Sequence, residues 1–284
     1  MLVIIVVPCY NEARRLDTQA FKAFTHDKYH VRFLFIDDGS TDDTWNLLQT
    51  LSASDAQRFL IRRLPHNAGK GEAVRQALLQ AFELTPDYVG YWDADLATPV
   101  TAIPGLCDVL NTIPKCEMVF GARVRLLGRA IHRSVLRHYL GRVFATIASL
   151  VLGLPIYDTQ CGAKIFRASP EVQSLFRAKF ITRWLFDVEI LARLIQSRGR
   201  VNCPQIVCEL PLDEWRDVAG SKVKPQDFAR SFVELARIYW HYFAKQAPAE
   251  PEYIKTERRS MVEIQDRLAH LDSIQEDVHE RQVF

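Results

Sequence analysis

The sequence predicts an α/β fold, a mostly parallel Rossmann-like sheet flanked by helices with a C-terminal helical extension. Three observations carry that expectation. Short apolar runs at Val3–Val7, Arg32–Ile36, Phe59–Leu64 and Tyr88–Trp92 alternate with polar or amphipathic segments, the rhythm of strand–helix–strand units. The intervening Thr44–Leu51 and Glu72–Leu84 have helical spacing, the second with Val74, Leu78 and Phe82 on one stripe. Each apolar run also ends in a polar cluster. With 284 residues and 48% hydrophobic content, the chain can build a sizeable core within one such domain plus appendages.

The first run lacks a charged leader region and a small-residue cleavage site, and it ends at Pro8, which suits a buried strand rather than a signal peptide. Pro8 to Glu12 follows it, Asp37 to Asp42 follows the second run, His66 to Gly71 the third, and Asp93-Ala94-Asp95 the fourth. Ligands of open α/β sheets bind beyond the carboxyl ends of the strands, so the four clusters converge on one crevice. Two carboxylates one residue apart at a strand end point the same way and suit a hard divalent cation, Mg²⁺ or Mn²⁺, shared with a phosphorylated ligand. A surface Asx turn is the other reading of Asp93 and Asp95. The convergence of the clusters favours the cation. Neither a GxGxxG after the first strand nor a GxxxxGK[ST] occurs, which disfavours dinucleotide and P-loop chemistry.

Between Glu117 and Asp158 there is no acidic residue, while Arg123, Arg125, Arg129, Arg133, Arg137 and Arg142 are joined by His132 and His138. That run favours contact with phosphate or a membrane surface over a merely solvated face. A net charge of +2 argues against a general nucleic-acid-binding surface. The six cysteines show no metal-ligand spacing and read as reduced thiols in a cytosolic protein. Val143–Tyr157 is shorter than the roughly 20 residues of a membrane-spanning helix, so none is expected. A turn and short strand follow over Asp158–Arg167, then a helix over Phe186–Gln196 bearing Asp187 and Glu189, a strand at Gln205–Leu210 and a loop from Asp213 to Pro225.

Phe228, Phe232, Leu235, Tyr239 and Phe243 then fall at helical spacing beside Trp240 and Tyr242, either a core-docking face or a membrane-interface stripe flanked by Arg230 and Arg237. From Lys245 the chain turns polar, and Met261, Ile264, Leu268, Leu271 and Val278 follow a heptad-like spacing, a helix that would pair with a second copy or pack back. The organisation expected is therefore a domain over 1–225, an amphipathic helix over 226–244 and a linker with a terminal helix over 245–284. A cytoplasmic protein, free or peripheral on the cytoplasmic membrane face, fits these features.

A set of motifs in one order carries a resemblance: VPCYNE at Val7–Glu12, IDDGSTDDT at Ile36–Thr44, NAGKGEAV at Asn67–Val74, DADLATP at Asp93–Pro99, GAR at Gly121–Arg123, DTQCGAKIF at Asp158–Phe166, RWLFDVEIL at Arg183–Leu191 and GSK at Gly220–Lys222. On these the chain resembles inverting family 2 glycosyltransferases of the GT-A fold, and among them the polyprenyl-phosphate sugar transferases of the dolichyl-phosphate β-glucosyltransferase kind. The resemblance implies transfer from a UDP- or GDP-sugar to a polyprenyl phosphate. It implies that Pro8, Tyr10, Glu12, Ile36 and Ala94 line the nucleotide pocket, that Asp38 reads the base, and that Asp95, helped by Asp93, holds the metal. Arg216 and Lys222 would contact the donor phosphates, and Arg123, Arg133, Lys164 and Gln160 the acceptor. Ala97 stands where many mannosyl members have Gln, as in some glucosyl members. A phosphate acceptor already carries roughly −1.5 to −2 charge and can attack unaided, so Asp187 is a secondary candidate for base beside two other readings, a group that orients an Arg or Lys near the acceptor or a cap on its helix. A saccharide or small-molecule hydroxyl acceptor is the alternative activity, and a non-catalytic nucleotide-sugar-binding or membrane-docking protein the alternative class.

Overall fold

Strand β1 (Leu2–Cys9) buries Val3 to Val7 completely, which explains its continuous apolar run: helices cover both of its faces. It sits inside a seven-stranded sheet of order β3-β2-β1-β4-β7-β5-β8, made with β2 (His30–Asp37), β3 (Phe59–Arg63), β4 (Tyr88–Trp92), β5 (Met118–Ala122), β7 (Ala163–Arg167) and β8 (Val207–Pro211). All pairings are parallel except those of β7, which runs antiparallel between β4 and β5. A second, two-stranded sheet pairs β6 (Ala130–His132) with β9 (Glu214–Arg216). The computed structural model describes residues 1–132, 135–218 and 225–244. Arg133, Lys222 and the expected terminal linker and helix, with the pairing expected of that helix, lie outside them.

The period-two alternation of β1 divides the core. Ile4 and Val6 face a layer built by α3 (Lys70–Glu83), α5 (Val135–Leu152), α7 (Phe186–Arg198) and α9 (Pro225–Ile238). Val3, Ile5 and Val7 face a layer built by α1 (Thr18–Ala23), α2 (Thr44–Ser54) and α4 (Ile103–Thr112). The short helices α6 (Pro170–Ser174) and α8 (Cys203–Ile206) fill connections. Helix α3 starts two residues before the expected Glu72, because Gly69 takes φ +95° and turns the chain so that Lys70 is already helical. All six cysteines are free thiols, five of them buried.

Helix α9 and the π-type turn after it (Tyr239–Phe243) belong with the sheet in one compact unit spanning Met1–Phe243. Leu235, Ile238 and Phe243 are buried, and Phe232 meets Phe144 of α5 edge-on at 5.8 Å. The inward half of the aromatic stripe is thus a core face, while Tyr239 and Trp240 point outward. Polar ties fix the docking. Glu234 accepts from the amides of Arg183, Trp184 and Leu185, and the Tyr242 hydroxyl donates to the fully buried Glu189. Among the described residues no helix is long and apolar enough to cross a membrane.

Candidate active site

The loops after β1, β2 and β3 are laced together at the carboxyl end of the sheet. The Asn11 amide donates to Ser40 Oγ (2.9 Å), that of Glu12 to Thr44 Oγ1 (2.8 Å), and that of Thr41 to Asn11 Oδ1 (2.9 Å). Asp38, buried at the end of β2, accepts from the amides of Ala68 and Gly69 at 2.7 and 2.9 Å, so the loop after β3 is hung on its carboxylate. Burial pushes the Asp38 carboxyl above its ordinary range, with the two amides opposing. Each oxygen keeps a second lone pair for a ligand donor.

Beyond β4, the Asp93 amide donates to Gly162 O at 2.9 Å and its Oδ1 lies 2.5 Å from Lys70 Nζ. Asp95 Oδ1 accepts from the Ala97 amide at 3.1 Å, an Asx turn, while its Oδ2 faces Arg15 at 3.5 Å. The turn reading is thus what the structure shows at Asp95, and both carboxylates stay a quarter to a third exposed. Burial, then Asp93, raises the Asp95 carboxyl above its ordinary range. A Cβ on Gly162 would fall onto the Asp93 carboxylate, so the loop before β7 closes against Asp93 with room for glycine alone. Among the described residues no third His, Cys, Asp or Glu completes a metal cluster. Two hard oxygen donors fit a Mg²⁺ or Mn²⁺ that takes its remaining ligands from a diphosphate and water.

Lys70 was not singled out by the sequence reading. Burial pulls its ammonium pKa down, but Asp93, Asp187 and Asp95 outweigh this and raise it. A signal was present: a lysine at the first position of a helix opposes the helix dipole, and such a misfit asks for nearby carboxylates.

Two of the residues expected on the acceptor, Lys164 and Arg123, prove to be held by the protein itself. Lys164 is fully buried, and its three ammonium protons face Thr159 O (3.1 Å), Cys161 O (2.5 Å) and Asp187 Oδ1 (2.7 Å). The Tyr91 hydroxyl donates to the same Asp187 oxygen. Lys164 thus positions Asp187 and the loop over 159–161; burial and spent donors keep it from a ligand in this structure. Arg123 forms a fork with Asp158, Nε to Oδ2 at 2.6 Å and Nη2 to Oδ1 at 2.7 Å, and its guanidinium lies 5.3 Å from the Trp215 ring centroid. Glu209 accepts from the amides of Tyr157 and Asp158, both at 2.8 Å, and fixes that fork from below. Gln160 Nε2 is buried with no hydrogen-bond partner among the described residues. Arg216 is exposed on β9, and its amide donates to Ala97 O at 3.0 Å, which lays it across the Asp95 loop.

Residues 4–171, from β1 through the loop against Asp93 to the start of α6, match the family model described as glycosyl transferase family 2. The chain belongs to glycosyl transferase family 2. As a family member it is a glycosyltransferase, and its curated relatives agree. It is 30% identical over 251 residues to a dolichyl-phosphate beta-glucosyltransferase of Trichomonas vaginalis, covering 84% of this chain and 71% of that protein. It is also 30% identical over 238 residues to the dolichyl-phosphate beta-glucosyltransferase of Saccharomyces cerevisiae, covering 77% and 68%. In fold it is similar to glucosyl-3-phosphoglycerate synthase from Mycobacterium tuberculosis, with a TM-score of 0.59 at 16% identity over 87% of this chain and 82% of that one. Another structure of that enzyme, in complex with Mn²⁺, UDP-glucose and phosphoglyceric acid, gives a TM-score of 0.58 at 15% identity over 87% and 81%. The architecture is the GT-A fold.

Proposed function

We propose that this glycosyltransferase moves a glucosyl group from UDP-glucose to a polyprenyl phosphate of the dolichyl class, with inversion and with Mg²⁺ or Mn²⁺. The observation that carries the acceptor class is the state of Asp187. One of its oxygens already receives the Lys164 ammonium and the Tyr91 hydroxyl, so the lone pairs of that oxygen are engaged within the protein. A hydroxyl nucleophile would need a base there; a phosphate brings its own charge. The curated relatives named for dolichyl phosphate support the same reading.

In this reading an acceptor phosphate oxygen attacks the anomeric carbon, the bond from that carbon to the diphosphate oxygen breaks, and UDP leaves with the electron pair. Asp38 receives the base, while Pro8, Tyr10, Glu12, Ile36 and Ala94 form the nucleoside pocket. Asp95 and Asp93 would hold the divalent ion, which when bound offsets the charge that develops on the leaving diphosphate. Lys70, Arg216 and Lys222 add fixed positive charge on the same side. Arg123, kept rigid by Asp158, meets the acceptor phosphate together with Arg133 and Gln160, whose buried amide nitrogen has a proton to give.

A nucleotide-release assay on the full chain with UDP-glucose, UDP-galactose and GDP-mannose, with and without short-chain polyprenyl phosphate and Mn²⁺, tests this. UDP released from UDP-glucose only when phosphate acceptor and metal are both present is the expected outcome. Turnover with a saccharide and none with the phosphate would overturn it.

A further inference from the structure

Arg123 is gripped from more than one direction. The fork with Asp158 takes up Nε and Nη2, which spends two of the five N–H groups of a guanidinium and leaves three to give. A fork of that kind fixes the in-plane direction of the group but lets it rock about the line joining the two hydrogen bonds. Trp215 opposes that rocking, because the guanidinium carbon lies over its ring. The indole is itself immobilised: it is 7% exposed and lies in the same buried cluster as Leu96, Ala97, Ile131 and Leu212. In β9 it points inward between the exposed Glu214 and Arg216. Main-chain bonds set the height of that strand. The Leu212 amide donates to Ala122 O, the residue before Arg123, and the Arg216 amide to Ala97 O, whose own amide caps Asp95.

We infer that Trp215 is a positioning residue for the acceptor phosphate and acts through Arg123, an inference that rests on the reading above in which Arg123 meets that phosphate. An aromatic face attracts a guanidinium through its quadrupole and takes none of its N–H groups. A second carboxylate in that place would hold the arginine as firmly, but it would repel the incoming phosphate and occupy the donors meant for it. The ring therefore adds rigidity without spending recognition. The same strand also relates the two sides of the reaction: Trp215 faces the acceptor arginine, and the next residue, Arg216, is the one read as a donor-phosphate contact. A tryptophan that only filled space would make no use of its π face, and this difference is measurable.

The test follows transfer by the full chain with UDP-glucose and a short-chain polyprenyl phosphate, each varied in turn. Trp215→Met fills much of the space without a π face, and tetrafluorinated tryptophan at position 215 keeps the shape while draining the ring face of negative charge. The first should raise KM for the phosphate about three- to tenfold and the second about twofold or more, with kcat and the KM for UDP-glucose changed by less than about twofold. Trp215→Phe should bring the phosphate KM back toward that of the unmodified protein. In an Arg123→Ala background, Trp215→Met should add nothing further. Circular dichroism checks the fold, and if Trp215→Met does not fold, the fluorinated residue, which leaves no cavity, decides alone. An unchanged phosphate KM in both variants would overturn the positioning role. So would a Trp215→Met loss that multiplies with that of Arg123→Ala, or one that falls equally on kcat and both KM values. Arg123→Ala by itself separates the two readings: if it leaves the phosphate KM unchanged, the acceptor assignment of Arg123 fails and takes the role of Trp215 with it, whereas a raised KM there with both Trp215 variants unaffected strikes the positioning role alone.

Discussion

Lys164 and Asp187 meet at 2.7 Å inside the protein, one from a strand antiparallel to its neighbours and the other from the first turn of α7, with the Lys164 side chain fully buried and that of Asp187 nearly so. Breaking a buried pair from one side strands the remaining charge, at about 3 to 5 kcal/mol. Lys164→Met should therefore lower unfolding free energy by about that much in a urea titration, and adding Asp187→Asn should restore part of it. Equal loss in the single and double variants would show that the pair is not coupled.

Asp95 and Gly162 test the carboxylate site from two directions. Asp95→Asn removes a hard oxygen ligand and should cut transfer at least about 10²-fold while the fold persists. Gly162→Ala places a methyl on the Asp93 carboxylate and should weaken Mn²⁺ binding, read by electron paramagnetic resonance, as well as turnover. Full activity of Asp95→Asn in excess EDTA would remove the metal from the reading.

Acceptor chemistry is separated by ranking two variants. Arg123→Ala removes a guanidinium that Asp158 holds in place, and a charge-assisted contact is worth about 1.5 to 3 kcal/mol, so kcat/KM for the phosphate acceptor should fall roughly 10- to 100-fold with UDP affinity unchanged. Asp187→Asn should depress transfer less than Arg123→Ala. An inactive Asp187→Asn beside an active Arg123→Ala would point to a hydroxyl acceptor and a true base.

Stability should also show an acid limb. Arg75 donates to both oxygens of Glu72, and this hydrogen-bonded pair holds the Glu72 carboxyl below its ordinary range. A depressed carboxylate contributes its stability above the unfolded value, roughly pH 4.3, and loses it as pH falls through the lower folded value. Glu72→Gln should flatten the decline in unfolding free energy below about pH 4.5; identical acid limbs in both proteins would contradict the assignment.

Four strands, the helices between them and the crevice at their ends were legible in the sequence, because they depend on local periodicity: buried parallel strands need unbroken apolar runs, and flanking helices need a stripe. The carboxylate pair could be picked out by its spacing, but not its arrangement: β4 ends at Trp92, and Asp95 is set by the turn that its own side chain makes with the Ala97 amide. Tertiary structure alone decided which charges remain available to a ligand. Lys164 belongs to the same motif as Gln160, yet the antiparallel insertion of β7 beside β4 points its ammonium into the core, where Asp187 neutralises it and two carbonyls accept its remaining protons. Lys70 went unnoticed because its three carboxylate neighbours come from 23 to 117 residues further along the chain, and only the closed sheet brings them together. The aromatic stripe of α9 and the apolar stripe of α5 read alike as sequence. Periodicity tells that a helix has an apolar face but not which neighbour covers it, and here the core took most of the first and left the outer edge of the second uncovered by described residues.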